Sequence, residues 1–396
     1  MRLLIVIALC AAAGCAQHTI SPLPVAPGIP LRHDAAPADS FKSLYSFKGN
    51  PDGQNPYAGL ANLGGTLYGT TLYGGKNQFG VLFKVSTTGA ERVLHTFGGG
   101  SQNDGAEPYG TMIVLNGSLY GTTYYGGRAP ADHGAVFKAS AAGTENIVCS
   151  FTSSQGEFPY TGVFALNGTL YGTTHQGGAH GYGSAYACTT AGKVRVLHSF
   201  ALSPDGAYPY DPPAALKGTL YGTTYQGGTK DNTYGYGIVY SVTTAGAEHV
   251  LHKFTGYPND GAYPRAGLLA VGGALYGTTA GGGASNNGTV YKISSSGSEQ
   301  VIYSFKGGSD GVGPSAGLIA VTGTLYGTTS SGGAYGQGTV FKVTTSGNEA
   351  VLHSFSGVAP DGSDPIGGLV NLNGELYGTT YYGGSHGDGI VFKIAP

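Results

Sequence analysis

The pentapeptide Leu-Tyr-Gly-Thr-Thr occurs seven times in this chain. Its copies begin at Leu67, Leu119, Leu170, Leu220, Leu275, Leu325 and Leu376. Successive copies are 52, 51, 50, 55, 50 and 51 residues apart. Because this single period runs through most of a 396-residue chain, it indicates an array of similar units rather than separate domains.

Each unit contains four short apolar segments that are rich in β-branched and aromatic residues, as is typical of strands. In the first unit they are YAGLANL, TLYGTT, GVLFKVS and ERVLHTF, and we name them strands a, b, c and d. Links a–b and c–d are short, and pairs such as Asn116-Gly117 favour two-residue hairpins. The pattern predicts an all-β fold, a seven-bladed β-propeller with four antiparallel strands per blade, over residues 41–396.

The two ends of the repeat array predict how the ring closes. A d-like segment, FKSLYSF, precedes the first strand a, and the chain ends on a c-like segment, GIVFKIAP, that no strand d follows. We therefore expect Lys42–Phe47 to pair with Ile390–Ile394 and to complete the last blade.

The repeated pentapeptide is interpreted as a packing motif and not as a catalytic element. Strand b is expected to be buried on both faces between neighbouring blades. Because side chains alternate along a strand, Leu67, Gly69 and Thr71 are predicted to face one neighbour, and Tyr68 and Thr70 the other. The glycine would let an aromatic ring approach the backbone.

Together, the motifs LYGTT, GG…G-V-F-K and L-H-S-F resemble the GloVer-type repeat of the choice-of-anchor tandem-repeat proteins. The resemblance covers about residues 41 to 396. It implies an extracellular protein whose repeats are joined to an anchoring signal. It provides no catalytic residues that could be carried over to this chain.

The N-terminal 15 residues resemble a signal peptide with a lipobox. An apolar run, Leu3–Ala13, is too short to span a bilayer, and Ala12-Ala13-Gly14 directly precedes Cys15. We expect Cys15 to be lipidated and residues 16–40, which contain five prolines, to act as a tether. This predicts an outer-membrane or cell-surface lipoprotein. Cleavage near Ala16, which would give a freely secreted protein, stays open.

The low charge of the chain bears on which classes of partner it can bind. Charged residues make up 10% of the chain, the net charge is −2, and no basic run is present, which argues against nucleic-acid binding. We expect a monomer that meets the membrane through its lipid alone, without a cofactor. Cys149 and Cys188 fall in different repeats and are interpreted as free thiols. A disulfide is the alternative, and it requires their Cα atoms to approach within about 7 Å.

Other polar residues recur with the repeat and are expected to be structural. The Asp-Gly aspartates of the d–a loops, such as Asp104, should cap their own turns. The strand-d histidines, such as His95, are assigned to the fold. The strand-c lysines are expected to be solvated or to pair with the glutamates that begin strand d, Glu91, Glu145, Glu299 and Glu349.

Links b–c and d–a should emerge on one face of the propeller, and they carry most of the length variation. Because variable loops on a rigid scaffold often carry function, this face is our predicted ligand face. Tyrosine offers a flat apolar ring and a hydrogen-bonding tip, which suit a glycan, a cell-wall polymer or a protein. The candidate residues are Tyr124, Tyr125, Arg128, His133, His175, His180, Tyr225, Tyr234, Tyr236, Tyr381, Tyr382 and His386.

A binding or scaffolding module at the cell surface or in the periplasm is the function that these features favour. Two alternatives stay open: a polysaccharide-active enzyme and a subunit of an envelope assembly complex. An enzyme would draw on Asp132, His133, Arg128, His175 and Tyr236. The pair His175 and His180 and the pair Asp132 and His133 lie in loops of adjacent blades, but their convergence is not implied, so no metal site is assigned.

Overall fold

The computed structural model describes residues 40–99, 103–128, 132–228 and 234–396. Cys15, the segment 1–15 and all but the last residue of the segment 16–40 lie outside these ranges. Every regular element that the described residues form is a β-strand. None of them forms a helix that is long and apolar enough to span a membrane.

The strands build seven antiparallel sheets, which are the seven predicted blades. Strand a is short in every blade: Ala61–Leu63, Ile113–Leu115, Phe164–Leu166, Ala214–Leu216, Leu269–Val271, Ile319–Val321 and Val370–Leu372. Strand b carries the repeated pentapeptide: Thr66–Thr71, Ser118–Thr123, Thr169–Thr174, Thr219–Thr224, Ala274–Thr279, Thr324–Ser331 and Glu375–Thr380.

The two outer strands complete each sheet. Strand c spans Val81–Val85, Ala135–Ala139, Ser184–Thr189, Ile238–Val242, Thr289–Ile293, Thr339–Thr344 and Ile390–Ile394. Strand d spans Glu91–Thr96, Glu145–Ser150, Val194–Ser199, Glu248–Lys253, Glu299–Ser304, Glu349–Ser354 and, in the last blade, Phe41–Ser46.

Two-residue ladders join the d–a loop to the b–c loop at one end of the blades. In the first blade, Gly53–Gln54 pairs with Tyr73–Gly74. Blades 2, 4, 5 and 7 repeat this pairing, and in blade 6 Val312–Pro314 pairs directly with strand b. The predicted placement of these two loops on a common face is confirmed.

The ring closes as the two ends of the repeat array predict. Phe41 lies opposite Ile394, Ser43 opposite Phe392 and Ser46 opposite Ile390, so that the first strand is the outer strand of the last blade. Phe41 also stacks on His353 of blade 6, with 3.7 Å between the ring centroids.

The core consists of seven apolar clusters, one between each pair of neighbouring blades. Leu67 packs in the cluster shared with blade 7, whereas Tyr68 packs in the cluster shared with blade 2. The predicted alternation along strand b is therefore confirmed. A Cβ atom on Gly121 would lie 2.6 Å from Cζ of Phe137 on strand c, so the ring that approaches the glycine belongs to the same blade.

The expectation of free thiols is wrong. Cys149, on strand d of blade 2, and Cys188, on strand c of blade 3, form a disulfide with their Cα atoms 6.4 Å apart. Both residues are buried in one cluster because strand d of one blade packs against strand c of the next. A covalent bond therefore crosses this blade interface.

Five of the other interfaces share a polar arrangement that we call the rim clusters. Each consists of a strand-d histidine or tyrosine, the d–a aspartate and the first glutamate of the next strand d: Tyr45–Asp52–Glu91, His95–Asp104–Glu145, His198–Asp205–Glu248, His252–Asp260–Glu299 and Tyr303–Asp310–Glu349. The histidine and the tyrosine are equivalent in that each forms a hydrogen bond with the aspartate.

The cluster around Asp104 shows how these groups interact. Its carboxylate accepts hydrogen bonds from the backbone N–H groups of Gly98 and Gly105, each at 2.7 Å, and lies 3.1 Å from Nε2 of His95. The predicted capping role is thus confirmed. Burial, and then the charge of Asp104, raise the pKa of Glu145 to about 7.

Of the two alternatives predicted for the strand-c lysines, solvation or pairing with these glutamates, the pairing is wrong. Among the described residues, Lys393 is the one lysine in an ion pair, and its partner is Glu375 at 3.4 Å. Lys138 and Lys292 instead lie about 6 Å above the rings of Tyr120 and Tyr276. The glutamates turn towards the aspartate of the preceding blade because the blade-to-blade contact brings the two groups together.

Candidate binding site at the mouth of the central channel

A cavity of about 710 Å³ lies where the seven strands a surround the axis of the ring. At the end that carries the b–c and d–a loops, it is lined by one equivalent residue from every blade, the residue that follows the d–a proline. These residues are Tyr57, Tyr109, Tyr160, Tyr210, Arg265, Ser315 and Ile366. We call this end the channel mouth.

Backbone geometry holds these seven residues in place. The residue before each proline has a positive φ, for example 54° at Glu107 and 59° at Phe158. The N–H group of Glu107 donates to Phe79 O in the preceding blade, and its carbonyl oxygen accepts from Tyr124 N. Pro108 follows with its own φ fixed by the pyrrolidine ring, so the turn is rigid and directs the side chain of Tyr109 towards the channel.

Four of the seven residues form a continuous aromatic surface, which we call the tyrosine arc: Tyr57, Tyr109, Tyr160 and Tyr210. The ring centroids of Tyr109 and Tyr160 are 4.4 Å apart in a stacked arrangement, and Tyr160 is 4.9 Å from Tyr210. The hydroxyl group of Tyr160 donates to Tyr57 Oη at 2.9 Å.

A second layer of aromatic residues supports the arc from outside. It consists of the residues that directly follow the pentapeptide in blades 2, 3, 4 and 7: Tyr124, His175, Tyr225 and Tyr381. Their centroids lie 4.7 to 6.1 Å from the nearest arc ring. Burial raises the pKa of Tyr124 and Tyr381 to about 12, so their hydroxyl groups remain hydrogen-bond donors at neutral pH.

Charged groups lie beside the blade-4 end of the arc. Arg265 is exposed, donates from Nη2 to Tyr225 Oη at 3.3 Å, and has its guanidinium carbon 5.2 Å from the ring centroid of Tyr225. Asp211, in the next position of blade 4, accepts a hydrogen bond from Gly267 N. Burial raises the pKa of Asp211 to about 7.

Some of the predicted ligand residues belong to this surface. Tyr124, His175, Tyr225 and Tyr381 contact the arc as described. Tyr125 and Tyr382 pack edge-on against Tyr124 and Tyr381. Tyr236 reaches the surface less directly, through Tyr263, whose ring contacts Tyr225.

Other predicted residues lie away from the mouth. Arg128 donates to Ile147 O at 2.9 Å on the outer strand of its own blade, and His133 pairs with Glu157 at 3.1 Å. Tyr234, His180 and His386 are exposed on their loops. Among the described residues, the groups of three possible metal ligands are rim clusters, such as His95, Asp104 and Glu145, and they do not include the loop histidines His175 and His180.

Sequence reasoning missed the four residues of the arc and Arg265. The available signal was positional: each of them follows the proline that closes a d–a loop. The strand pattern places these residues at the start of strand a and does not indicate which of its side chains face the ring axis. The b–c loops are conspicuous in the sequence because they vary in length, whereas the positions at the mouth vary only in residue type.

Solved structures resemble the fold at low sequence identity. Virginiamycin B lyase from Staphylococcus aureus aligns with a TM-score of 0.56 and 13% identity, over 87% of this chain and 96% of the other. A puromycin hydrolase mutant aligns with a TM-score of 0.52 and 10% identity, over 82% of this chain and 50% of the other. These similarities support the propeller fold alone.

At the level of sequence, none of the curated proteins compared with the chain matches it. The profile of the Gloeobacter/Verrucomicrobia repeat matches residues 34–233 and 229–396. These two matches cover the whole propeller and agree with the resemblance carried by the repeated motifs. The chain therefore belongs to the Gloeobacter/Verrucomicrobia repeat family.

Proposed function

We propose that this protein is a binding module that holds a glycan at the channel mouth. The observation that carries the proposal is the tyrosine arc, in which four equivalent positions of consecutive blades present rings in mutual contact, one pair stacked and two edge-on, to a cavity of about 710 Å³. The position is set by the repeat, but the residue type is not, since the same position holds Arg265, Ser315 and Ile366 in the other blades.

Sugar rings suit this surface chemically. A pyranose has an apolar face of C–H groups that can pack on an aromatic ring, and a rim of hydroxyl groups that need hydrogen-bond partners. The arc supplies both, because its hydroxyl groups stay protonated at neutral pH. Burial raises the pKa of Tyr57, Tyr109, Tyr160 and Tyr210 above the ordinary value.

Matched tyrosine variants test this proposal. Tyr109→Ala and Tyr160→Ala should each weaken glycan binding about tenfold or more, because each removes a ring from the middle of the arc. Tyr335→Ala is the control, since Tyr335 is 64% exposed on a b–c loop of the same face. Calorimetry with cello-, xylo-, galacto- and galacturono-oligosaccharides, together with a pulldown on purified cell wall, would measure binding. Equal losses of glycan affinity in all three variants would contradict a binding site at the channel mouth.

The proposed location is outside the cytoplasm, with a lipid on Cys15. The Cys149–Cys188 disulfide supports export, because such bonds persist in oxidising compartments. The signal-like N-terminus supports it independently. Labelled fatty acid should enter the wild-type protein and not a Cys15→Ala variant. A mature wild-type chain that carries no lipid would contradict the anchor but not export.

A polysaccharide-active enzyme is the second candidate, and Asp211 is the observation that favours it. A carboxyl group with a pKa near 7 can donate or accept a proton at neutral pH. If the protein is an enzyme, chromatography should show cleavage of an oligosaccharide that the wild-type protein binds, and Asp211→Asn should abolish that cleavage. Binding without cleavage supports the module.

A further inference from the structure

The seven equivalent positions of the channel mouth differ in chemistry around the ring. Blades 1 to 4 supply the tyrosine arc, and blades 5 to 7 supply Arg265, Ser315 and Ile366. Arg265 is therefore the one cation among these seven residues. It stands directly beside the end of the arc, because Tyr225 contacts both Tyr210, at 5.1 Å between centroids, and the guanidinium of Arg265.

The guanidinium of Arg265 has N–H donors that are available to a ligand. Its hydrogen bond within the described part of the chain goes to the neutral hydroxyl of Tyr225, and no carboxylate there forms an ion pair with it. The carboxylate of Asp211 is directed to the backbone N–H of Gly267 instead. A guanidinium has five N–H donors, so most of them can reach a ligand.

Two nearby carboxyl groups bear on the charge of the site. Burial raises the pKa of Asp211 to about 7, and burial also raises the pKa of Asp364, against the opposing effect of Arg265. Asp211 therefore carries less negative charge near neutral pH than a freely solvated carboxylate would. The exposed guanidinium remains fully charged.

We propose that Arg265 makes the channel mouth selective for an acidic saccharide, binding the carboxylate of a uronic-acid residue while a neighbouring sugar ring packs on the tyrosine arc. Arginine binds carboxylates through two parallel hydrogen bonds, a geometry that a hydroxyl group of a neutral sugar does not match. This inference rests on the proposed glycan-binding function and adds the class of glycan.

The test compares two matched pairs of probes: trigalacturonate with galactotriose, and a glucuronate-containing trisaccharide with its glucose counterpart. Calorimetry should show that the wild-type protein binds an acidic probe at least tenfold more tightly than the neutral partner. Arg265→Gln should remove that preference, and Arg265→Lys should restore it in part. Arg92→Gln is the control, because it removes an exposed arginine from an outer strand and should leave the preference intact.

The pH dependence provides a second readout. Between pH 8 and pH 6 the uronate stays ionised while Asp211 becomes protonated, so acidic probes should bind several-fold more tightly at pH 6. Asp211→Asn should flatten this dependence. Neutral probes should show little change.

The possible outcomes separate the inference from the function on which it rests. Tight binding of neutral probes that depends on Tyr109 but not on Arg265 would overturn acid selectivity and leave the glycan module standing. Failure of every saccharide, with capture of a proline-rich peptide on the arc instead, would overturn both. A preference that persists in Arg265→Gln would also overturn the inference, because another group would then carry it.

Discussion

At the scale of single residues, the contact between a glycine of strand b and an aromatic ring of strand c recurs in every blade. Cβ atoms placed on these glycines would lie within 3 Å of the ring or hydroxyl atoms of the facing Phe or Tyr. The rings are completely buried, for example Phe137 and Tyr186. The glycine of the pentapeptide is thus required by a close approach and not by an unusual φ.

Gly121→Ala tests that requirement. The added methyl group should clash with Phe137 and cost about 1–3 kcal/mol, which corresponds to a lower Tm by roughly 2–4 °C in calorimetry. Gly317→Ala is the control, because a Cβ atom there would meet nothing within 4 Å. Adding Phe137→Leu to Gly121→Ala should recover part of the loss. Equal Tm values for both glycine variants would contradict the packing argument.

At the scale of elements, the rim clusters connect each outer strand to the next. The two interfaces that lack a complete cluster are joined in other ways. Between blades 2 and 3, the disulfide occupies the position, with Gln155 and Val194 in place of the acids. Between blades 6 and 7, Phe41 replaces the glutamate and stacks on His353. Neighbouring blades are therefore connected at their outer edge at every interface.

The rim clusters predict a fall in stability from mildly acidic to alkaline pH. The folded pKa of Glu91, Glu145, Glu299 and Glu349 is about 7, above the ordinary 4.5, so the folded state binds more protons than the unfolded state between these values. Their contribution to stability is thus lost as pH rises from about 4.5 to 7. Burial lowers the pKa of His95, but the hydrogen bond and the charge of Asp104, with the charge of Glu145, outweigh burial and raise that pKa, which adds a loss in the same direction above pH 6.5.

Two variants isolate this effect. The Tm of the wild-type protein should be highest near pH 5 and fall towards pH 8. Glu145→Gln should raise Tm at pH 8 by roughly 1–3 °C and change it little at pH 5, because glutamine resembles the protonated acid. Glu375→Gln removes a carboxylate outside the clusters and should leave the dependence of Tm on pH unchanged. A wild-type Tm that rises from pH 5 to pH 8 would contradict the assignment.

At the scale of the whole molecule, the ring depends on pairing between its two ends. Strand Phe41–Ser46 covers the last strand c, and Phe47, directly after it, is completely buried in the cluster between blades 7 and 1. Without this strand, blade 7 would expose its edge, and its interface with blade 6 would lose the contact between Phe41 and His353. Closure thus joins the most distant parts of the sequence.

Deleting residues 41–47 should therefore open the ring. Relative to a chain that begins at residue 40, we expect Tm to fall by more than 10 °C, because backbone pairing, the completely buried Phe47 and the half-buried Phe41 and Tyr45 are lost together. A synthetic peptide of residues 40–48, added in trans, should bind the truncated protein and recover much of the loss, as a supplied strand completes an open sheet edge. Unchanged melting of the truncated chain would contradict closure by this strand.

The sequence by itself determined the number of blades, the order of the strands, the closing strand and the orientation of Leu67 and Tyr68. These properties depend on short-range patterns that recur at a fixed period, and the seven copies allow each pattern to be recognised. Family membership followed from the same motifs. The common face of the b–c and d–a loops was also predictable, because an antiparallel blade allows no other arrangement.

The tertiary structure decided which residues from different blades meet. The Cys149–Cys188 pair, the partners of the rim glutamates and the tyrosine arc all join positions that are about 40 or more residues apart in the sequence. Their contacts depend on the angle and distance between neighbouring blades, which no local pattern records. The ring brings the residue after each proline to one axis, and that convergence turns seven separate loop ends into a single candidate site.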